Sequence, residues 1–142
     1  MATLSVRHDP ASASLARRSV ATAFQKAGLT ADQAYDASLI ASELVGNAVR
    51  HGRPLPSGHI TVQYTLDSDG YYIAVTDGGD ALRVVPQAAE PHSTGGRGLM
   101  IVAALSQKWG VSRDGNATTV WARASLPAAA TPAQTLQSVS RG

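Results

Sequence analysis

Two apolar spacings alternate along the chain, one with the period of a helix and one with the period of a strand. After Asp9-Pro10, residues 12–27 place Leu15, Val20, Ala23, Phe24 and Ala27 at spacings that predict an amphipathic helix closed by Gly28. Thr30 then stands where it can cap a second helix over 31–51, rich in Ala and Leu, which ends at His51-Gly52 before the stiff stretch 53–58. His59–Leu66 and Tyr71–Thr76 predict two strands, with Asp67-Ser68-Asp69-Gly70 as the hairpin turn between them. Residues 77–96 are punctuated by glycine and proline and show little periodicity, which predicts a long loop of the kind that serves function or stays disordered. A third helix, about 97–107, comes after Gly95-Gly96 and carries Leu99, Met100, Val102, Ala103 and Leu105. Trp109–Arg113 and Thr118–Leu126 form a second hairpin around Asp114-Gly115-Asn116. Residues 1–126 therefore read as one domain, and 127–142, small, polar and low in complexity, as a disordered tail.

Composition narrows the classes without choosing among them. With 142 residues and 44% hydrophobic positions the chain can bury one substantial core but not two large ones. A formal charge of +2 on few charged residues does not suggest a nucleic-acid partner. The absence of cysteine excludes disulfide scaffolds, thiolate metal sites and cysteine catalysis. No stretch has the makings of a signal peptide or a membrane span, so the expectation is a cytoplasmic protein without membrane contact.

Three places break the apolar pattern. On a helical projection Glu43 and Asn47 fall beside Ile40 and Leu44 rather than opposite them, with His51 one turn further along the same row. The pair reads either as polar groups at the core edge satisfied locally, or as a carboxylate and an amide aimed into a site. In the second case the amide oxygen suits Mg²⁺, and the carboxylate can orient or deprotonate a hydroxyl. The strand ending in Asp77-Gly78-Gly79-Asp80 is an ordinary chain reversal, or a carboxylate that accepts from a planar amine while backbone passes close to a ring. Gly95-Gly96-Arg97-Gly98 at a helix mouth is a flexible cap, or an anion cradle built from unpaired N–H groups and the helix dipole. The chain lacks a P-loop signature, and its glycine run does not sit in a βαβ unit. Taken in order, the three breaks supply parts for a metal, a purine and phosphates.

In that order they resemble the GHKL superfamily, which includes gyrase-type topoisomerases, mismatch-repair ATPases, heat-shock chaperones, histidine kinases and anti-sigma-factor serine kinases. ELVGNAVRHG (43–52) resembles its N box, VTDGGD (75–80) its first glycine box, GGRGLMIV (95–102) its second, and ATTVWA (117–122) its closing strand. HDPASASLARR (8–18), GRGLMIVAALSQKWG (96–110) and TTVW (118–121) resemble small actinobacterial regulators related to the anti-sigma kinases. The resemblance implies the Bergerat ATP-binding fold: α+β, a two-layer sandwich with a mixed, mainly antiparallel sheet and helices on one face. It implies ATP and Mg²⁺ as cofactors, with Asn47 as metal ligand, Glu43 as catalytic base and Asp77 as acceptor for the adenine amino group. Gly79 would let the base lie against backbone, Gly96, Arg97 and Gly98 would cradle phosphates under a lid loop, and Thr118 would reach adenine through water. His51, Gly95 and Leu99 complete the implied nucleotide contacts.

Three positions depart from the family pattern. Ala81 stands where a second glycine is common, Ala117 replaces the glycine before Thr118, and Thr94 occupies the place of an arginine in sporulation-type serine kinases. The function implied is an anti-sigma factor that phosphorylates a serine or threonine of its antagonist, with a sigma factor and that antagonist as partners and a homodimer as a possible assembly. The alternative is an ATP-binding interaction module with little turnover, acting as a partner switch. A histidine kinase or a strand-passage enzyme is not expected, because residues 1–30 leave no room for a dimerisation hairpin and the chain carries no transducer domain.

Overall fold

The computed structural model describes residues 1–79 and 94–127, with backbone alone for 94–98. In chain order the elements are β1 (Ala2–Arg7), α1 (Ser12–Lys26), α2 (Ala31–His51), β2 (His59–Leu66), β3 (Gly70–Asp77), α3 (Thr94–Leu105), β4 (Lys108–Asp114) and β5 (Ala117–Ser125). The strands form one sheet in the order β1-β2-β3-β5-β4, and every neighbouring pair among them is antiparallel. Helix α2 packs against both α1 and α3 and lies on β3, so the domain is a two-layer α+β sandwich.

Helix ends are set by local chemistry. The Thr30 hydroxyl accepts from the Gln33 N–H at 3.1 Å while the Gln33 side chain accepts from the Thr30 N–H at 2.9 Å, a reciprocal cap that starts α2. At the end of α1, Gly28 takes φ +110°, its N–H donates to Gln25 O, and the Leu29 N–H reaches back to Phe24 O at 3.0 Å. Phe24 and Leu29, both buried, supply the apolar contact that accompanies this type of stop.

The core lies between the layers. Ile60 and Val62 of β2, Tyr71, Ile73 and Val75 of β3 and Val120, Ala122 and Ala124 of β5 all turn toward the helices. They meet Ala16, Val20 and Phe24 of α1 and Ala37, Ile40, Ala41, Leu44 and Val45 of α2. Phe24 sits 5.3 Å from the Tyr71 ring and 5.8 Å, edge on, from Tyr64.

The structure corrects two expectations. Residues Ala2–Arg7 form an edge strand absent from the elements expected of the sequence, although Leu4 and Val6 alternate with Thr3, Ser5 and Arg7. Helix α3 runs from Thr94 to Leu105 rather than over 97–107; its end comes early because the Gln107 N–H is taken by Arg123 O at 2.7 Å, which draws the chain into the sheet. The lid segment 80–93 and the tail 128–142 fall outside the described residues.

Gly28→Ala places a Cβ in the left-handed region, so it is expected to lower unfolding free energy by about 1 kcal/mol, read as a lower urea midpoint with an unchanged slope.

Candidate functional site

Two of the segments that break the apolar pattern, the end of α2 and the end of β3, meet at one junction. Strand alternation along β3 turns Tyr71, Ile73, Val75 and then Asp77 to the same side, and along β5 Thr118 continues the row of Val120, Ala122 and Ala124. Asp77 and Thr118 are register partners, and both are buried. Beyond them Gly79 has φ +76°, and its N–H donates to Asp77 Oδ1 at 2.6 Å. A Cβ on Gly79 would lie 1.9 Å from Asn116 O and 3.2 Å from Thr118 Oγ1, so only glycine lets this turn close against the β4–β5 connection.

The other wall comes from α2. Gly52 has no side chain because the space is occupied: a Cβ there would stand 2.3 Å from Asp77 Oδ2. The next residues seal the junction, with the Gly78 N–H donating to Arg53 O at 2.6 Å. One turn earlier lies Asn47, 2% exposed, whose Nδ2 has no hydrogen-bond partner among the described residues. An unpaired buried donor costs about 1–3 kcal/mol, which makes such an atom informative. Rotating the amide exchanges its two ends, so this position offers an oxygen to a divalent cation or an N–H to a phosphate oxygen. Both suit Mg²⁺-nucleotide, since Mg²⁺ commonly takes one or two protein ligands and completes its shell with phosphate and water. Among the described residues no three of His, Asp and Glu cluster as a ready-made metal cage.

The remaining candidates spread outward from this centre. Glu43 is half-buried and lines a groove of about 380 Å³ between α1 and α2, together with Ser14, Arg17 and Arg50. Arg17 donates to Ser42 Oγ at 3.4 Å, and the Arg50 guanidinium lies over Gly46, 3.0 Å from where a Cβ would sit. His51, the last residue of α2, is exposed. Gly95, Gly96, Arg97 and Gly98 lie in the first turns of α3 rather than ahead of it, which leaves the N–H groups of Gly95 and Gly96, but not that of Gly98, among those without intrahelical partners. Leu99 is buried in the core.

Sequence reasoning missed Gly52 and Gly78. Gly52 reads as a helix stop and Gly78 as part of a turn; that they face Asp77 and Pro54 respectively depends on contacts between distant segments. It also passed over His8, whose Nε2 lies 3.2 Å from Ala48 O and 3.0 Å from Gly52 O.

A family model described as the histidine kinase-like ATPase domain matches residues 6–124. Among solved structures, the chain is similar to the RsbU and RsbW domains of Rv1364c from Mycobacterium tuberculosis, at 21% identity and a TM-score of 0.65. That match covers 90% of this chain and 34% of the other, so the chain spans about a third of the length of that protein. No curated protein matches. Among the described residues, no helix is long and apolar enough to cross a membrane.

Two substitutions test the geometry without any ligand. Gly52→Ala forces a methyl group into the Asp77 carboxylate and is expected to cost about 1–3 kcal/mol in thermal unfolding, although the φ of −101° itself suits alanine. Asn47→Leu replaces a buried unpaired amide with an apolar group of similar size, so the ligand-free protein is expected to keep or raise its melting temperature.

Proposed function

The chain belongs to the histidine kinase-like ATPase family, and on that premise we propose that it is an anti-sigma factor that binds Mg²⁺-ATP and phosphorylates a serine or threonine of its antagonist protein. The observation that carries this reading is the buried Asn47 amide, whose nitrogen has no partner among the described residues, on the helix whose exit at Gly52 packs against the buried Asp77 carboxylate. A protein with no ligand for that place would gain stability by making Asn47 apolar.

In this reading Asp77 accepts the N–H of the adenine amino group. Guanine presents a carbonyl at the same position, so the carboxylate repels it and ATP is preferred. Gly79, whose Cβ position is taken by Asn116 O, shapes the turn beside the base, and Thr118 meets the base through water. Asn47 would hold Mg²⁺, which supplies neutralisation of the phosphate charge. The N–H groups at the start of α3, those of Gly95 and Gly96, bind the phosphate oxygens, with Arg97 and Gly98 completing the cradle in the same turn. Glu43, on the groove beside Arg17 and Arg50, takes the proton of the acceptor hydroxyl as its oxygen bonds to the γ-phosphorus and ADP leaves. The groove, open and bordered by two guanidinium groups and one carboxylate, is where a segment of the antagonist would enter.

A second reading, a partner switch that binds ATP with little turnover, draws support from Thr94, which stands where related kinases carry an arginine. In that case nucleotide serves to order a binding surface.

Labelled ATP, Mg²⁺ and an antagonist encoded beside the protein separate the two. Phosphate on a Ser or Thr that falls about 10²-fold or more in Glu43→Ala, with ATP affinity retained, supports the kinase; tight binding with no transfer supports the switch. Calorimetry is expected to show that Asn47→Ala weakens Mg²⁺-ATP binding strongly and that chelating the metal weakens the wild-type protein in the same way. Asp77→Asn is expected to reduce the preference for ATP over GTP in a competition assay. Unchanged affinity in both variants would overturn the assignment of the site.

A further inference from the structure

We propose that His8 is a positioning residue for the nucleotide site, acting through the last turn of α2 to hold Asn47 and Asp77 in their relative places. The inference rests on reading that site as one for Mg²⁺-ATP. His8 lies at the corner between β1 and α1, where four short bonds fix the backbone. The Asp9 N–H donates to Arg7 O at 2.9 Å, the Ser12 N–H to Asp9 O at 2.9 Å, the Ser12 hydroxyl to Arg7 O at 2.7 Å and the Ala11 N–H to Asp9 Oδ1 at 2.8 Å. With Val6 anchored in the core behind it, the ring is aimed rather than free to swing.

Nε2 faces two carbonyl oxygens, Gly52 O at 3.0 Å and Ala48 O at 3.2 Å, and a carbonyl cannot donate. Nε2 must therefore carry the hydrogen, which is shared between the two acceptors. Ala48 O also accepts from the Gly52 N–H at 2.9 Å, so His8 closes over the last bond of α2 and adds a partner for the Gly52 carbonyl beyond it. Those two carbonyls bracket the segment that matters. Ala48 comes directly after Asn47, and Gly52 is the residue packed against the Asp77 carboxylate. A shift of this turn would move the amide and the carboxylate relative to each other, and positional errors of that size are costly in a polar site.

The test uses the full chain carrying His8→Gln or His8→Leu. Glutamine can set a donor near the place of Nε2; leucine fills similar space and cannot. At a temperature where circular dichroism shows all three proteins folded, calorimetry with Mg²⁺-ATP is expected to give about tenfold weaker binding for His8→Leu. His8→Gln is expected to stay within about threefold of wild type. Backbone amide resonances of Gly52 and Gly78 are expected to move in the leucine variant and stay close to wild type in the glutamine variant. Equal affinity in wild type and His8→Leu overturns the role, as does a glutamine variant as weak as the leucine one, which would make ring shape rather than the bond responsible. A wild-type protein that takes up no nucleotide overturns the reading of the site and this role with it, whereas a change in thermal stability alone, at unchanged affinity, leaves the site reading standing and removes His8 from it.

Discussion

The site depends on one close approach of two backbones, the exit of α2 against the end of β3. In a two-layer domain a helix and a sheet normally keep a side chain's thickness between them. Here they touch, with the Gly78 N–H on Arg53 O at 2.6 Å and Gly52 directly against the Asp77 carboxylate. Two glycines permit this because a methyl group at either would fall about 2 Å from an oxygen, at 2.3 Å from Asp77 Oδ2 or 2.2 Å from Pro54 O. The bond matters as much as the space, since it ties the chain leaving α2 to the chain leaving β3.

Everything polar nearby is arranged around that contact. Asp77 and Thr118 are shut away from solvent, yet the carboxylate receives the Gly79 N–H and the two side chains are neighbours on paired strands. Asn47 differs, because its amide nitrogen finds no partner among the described residues. A residue that is costly to the folded state, held on a rigid helix beside residues that are satisfied, is what a preorganised binding position looks like before its ligand arrives. Under the proposed function, the stability forgone there would be recovered on binding, when the same amide meets a charged partner.

The elements were legible where a local rule decides them. The Thr30–Gln33 cap and the Gly28 stop each depend on residues within a few positions, and the strands His59–Leu66 and Gly70–Asp77 come from alternation bounded by turn residues. Strand β1 was missed because six residues at a chain end, with only Leu4 and Val6 strongly apolar, carry too little signal until β2 is known to lie beside them. The site was legible as a list of residue types and opaque as geometry. Glu43 and Asn47 share a helical row, yet Glu43 opens onto the α1–α2 groove while Asn47 is buried, a division set by what packs above each rather than by their spacing. Gly52 against Asp77 and His8 against Gly52 join segments that are 25 or more residues apart, where no periodicity connects them.

The place of the site at one end of the sheet has a physical cause. On β3 and β5 the helix-facing positions pair as Tyr71 with Ala124, Ile73 with Ala122 and Val75 with Val120, and only the last pair, Asp77 with Thr118, is polar. At the far end Arg123 holds Asp67 through two bonds of 3.0 Å, and the Asp67 carboxyl lies below its usual range mainly because of that guanidinium; this closes the β2–β3 turn on the solvent side. The opposite sheet face is also finished locally, with Tyr72 stacked on Trp121, Trp121 lying over Gly110 and the Thr76 and Thr119 hydroxyls bonded at 2.7 Å. Polar groups can therefore be buried at the Asp77 end without disturbing the core, because the apolar pairs stop one position short and the exit of α2 covers the Asp77 carboxylate. Under the proposed function, a ligand entering there would meet donors and acceptors held on α2, β3 and β5, elements already packed against one another, so binding would have little of that scaffold left to organise.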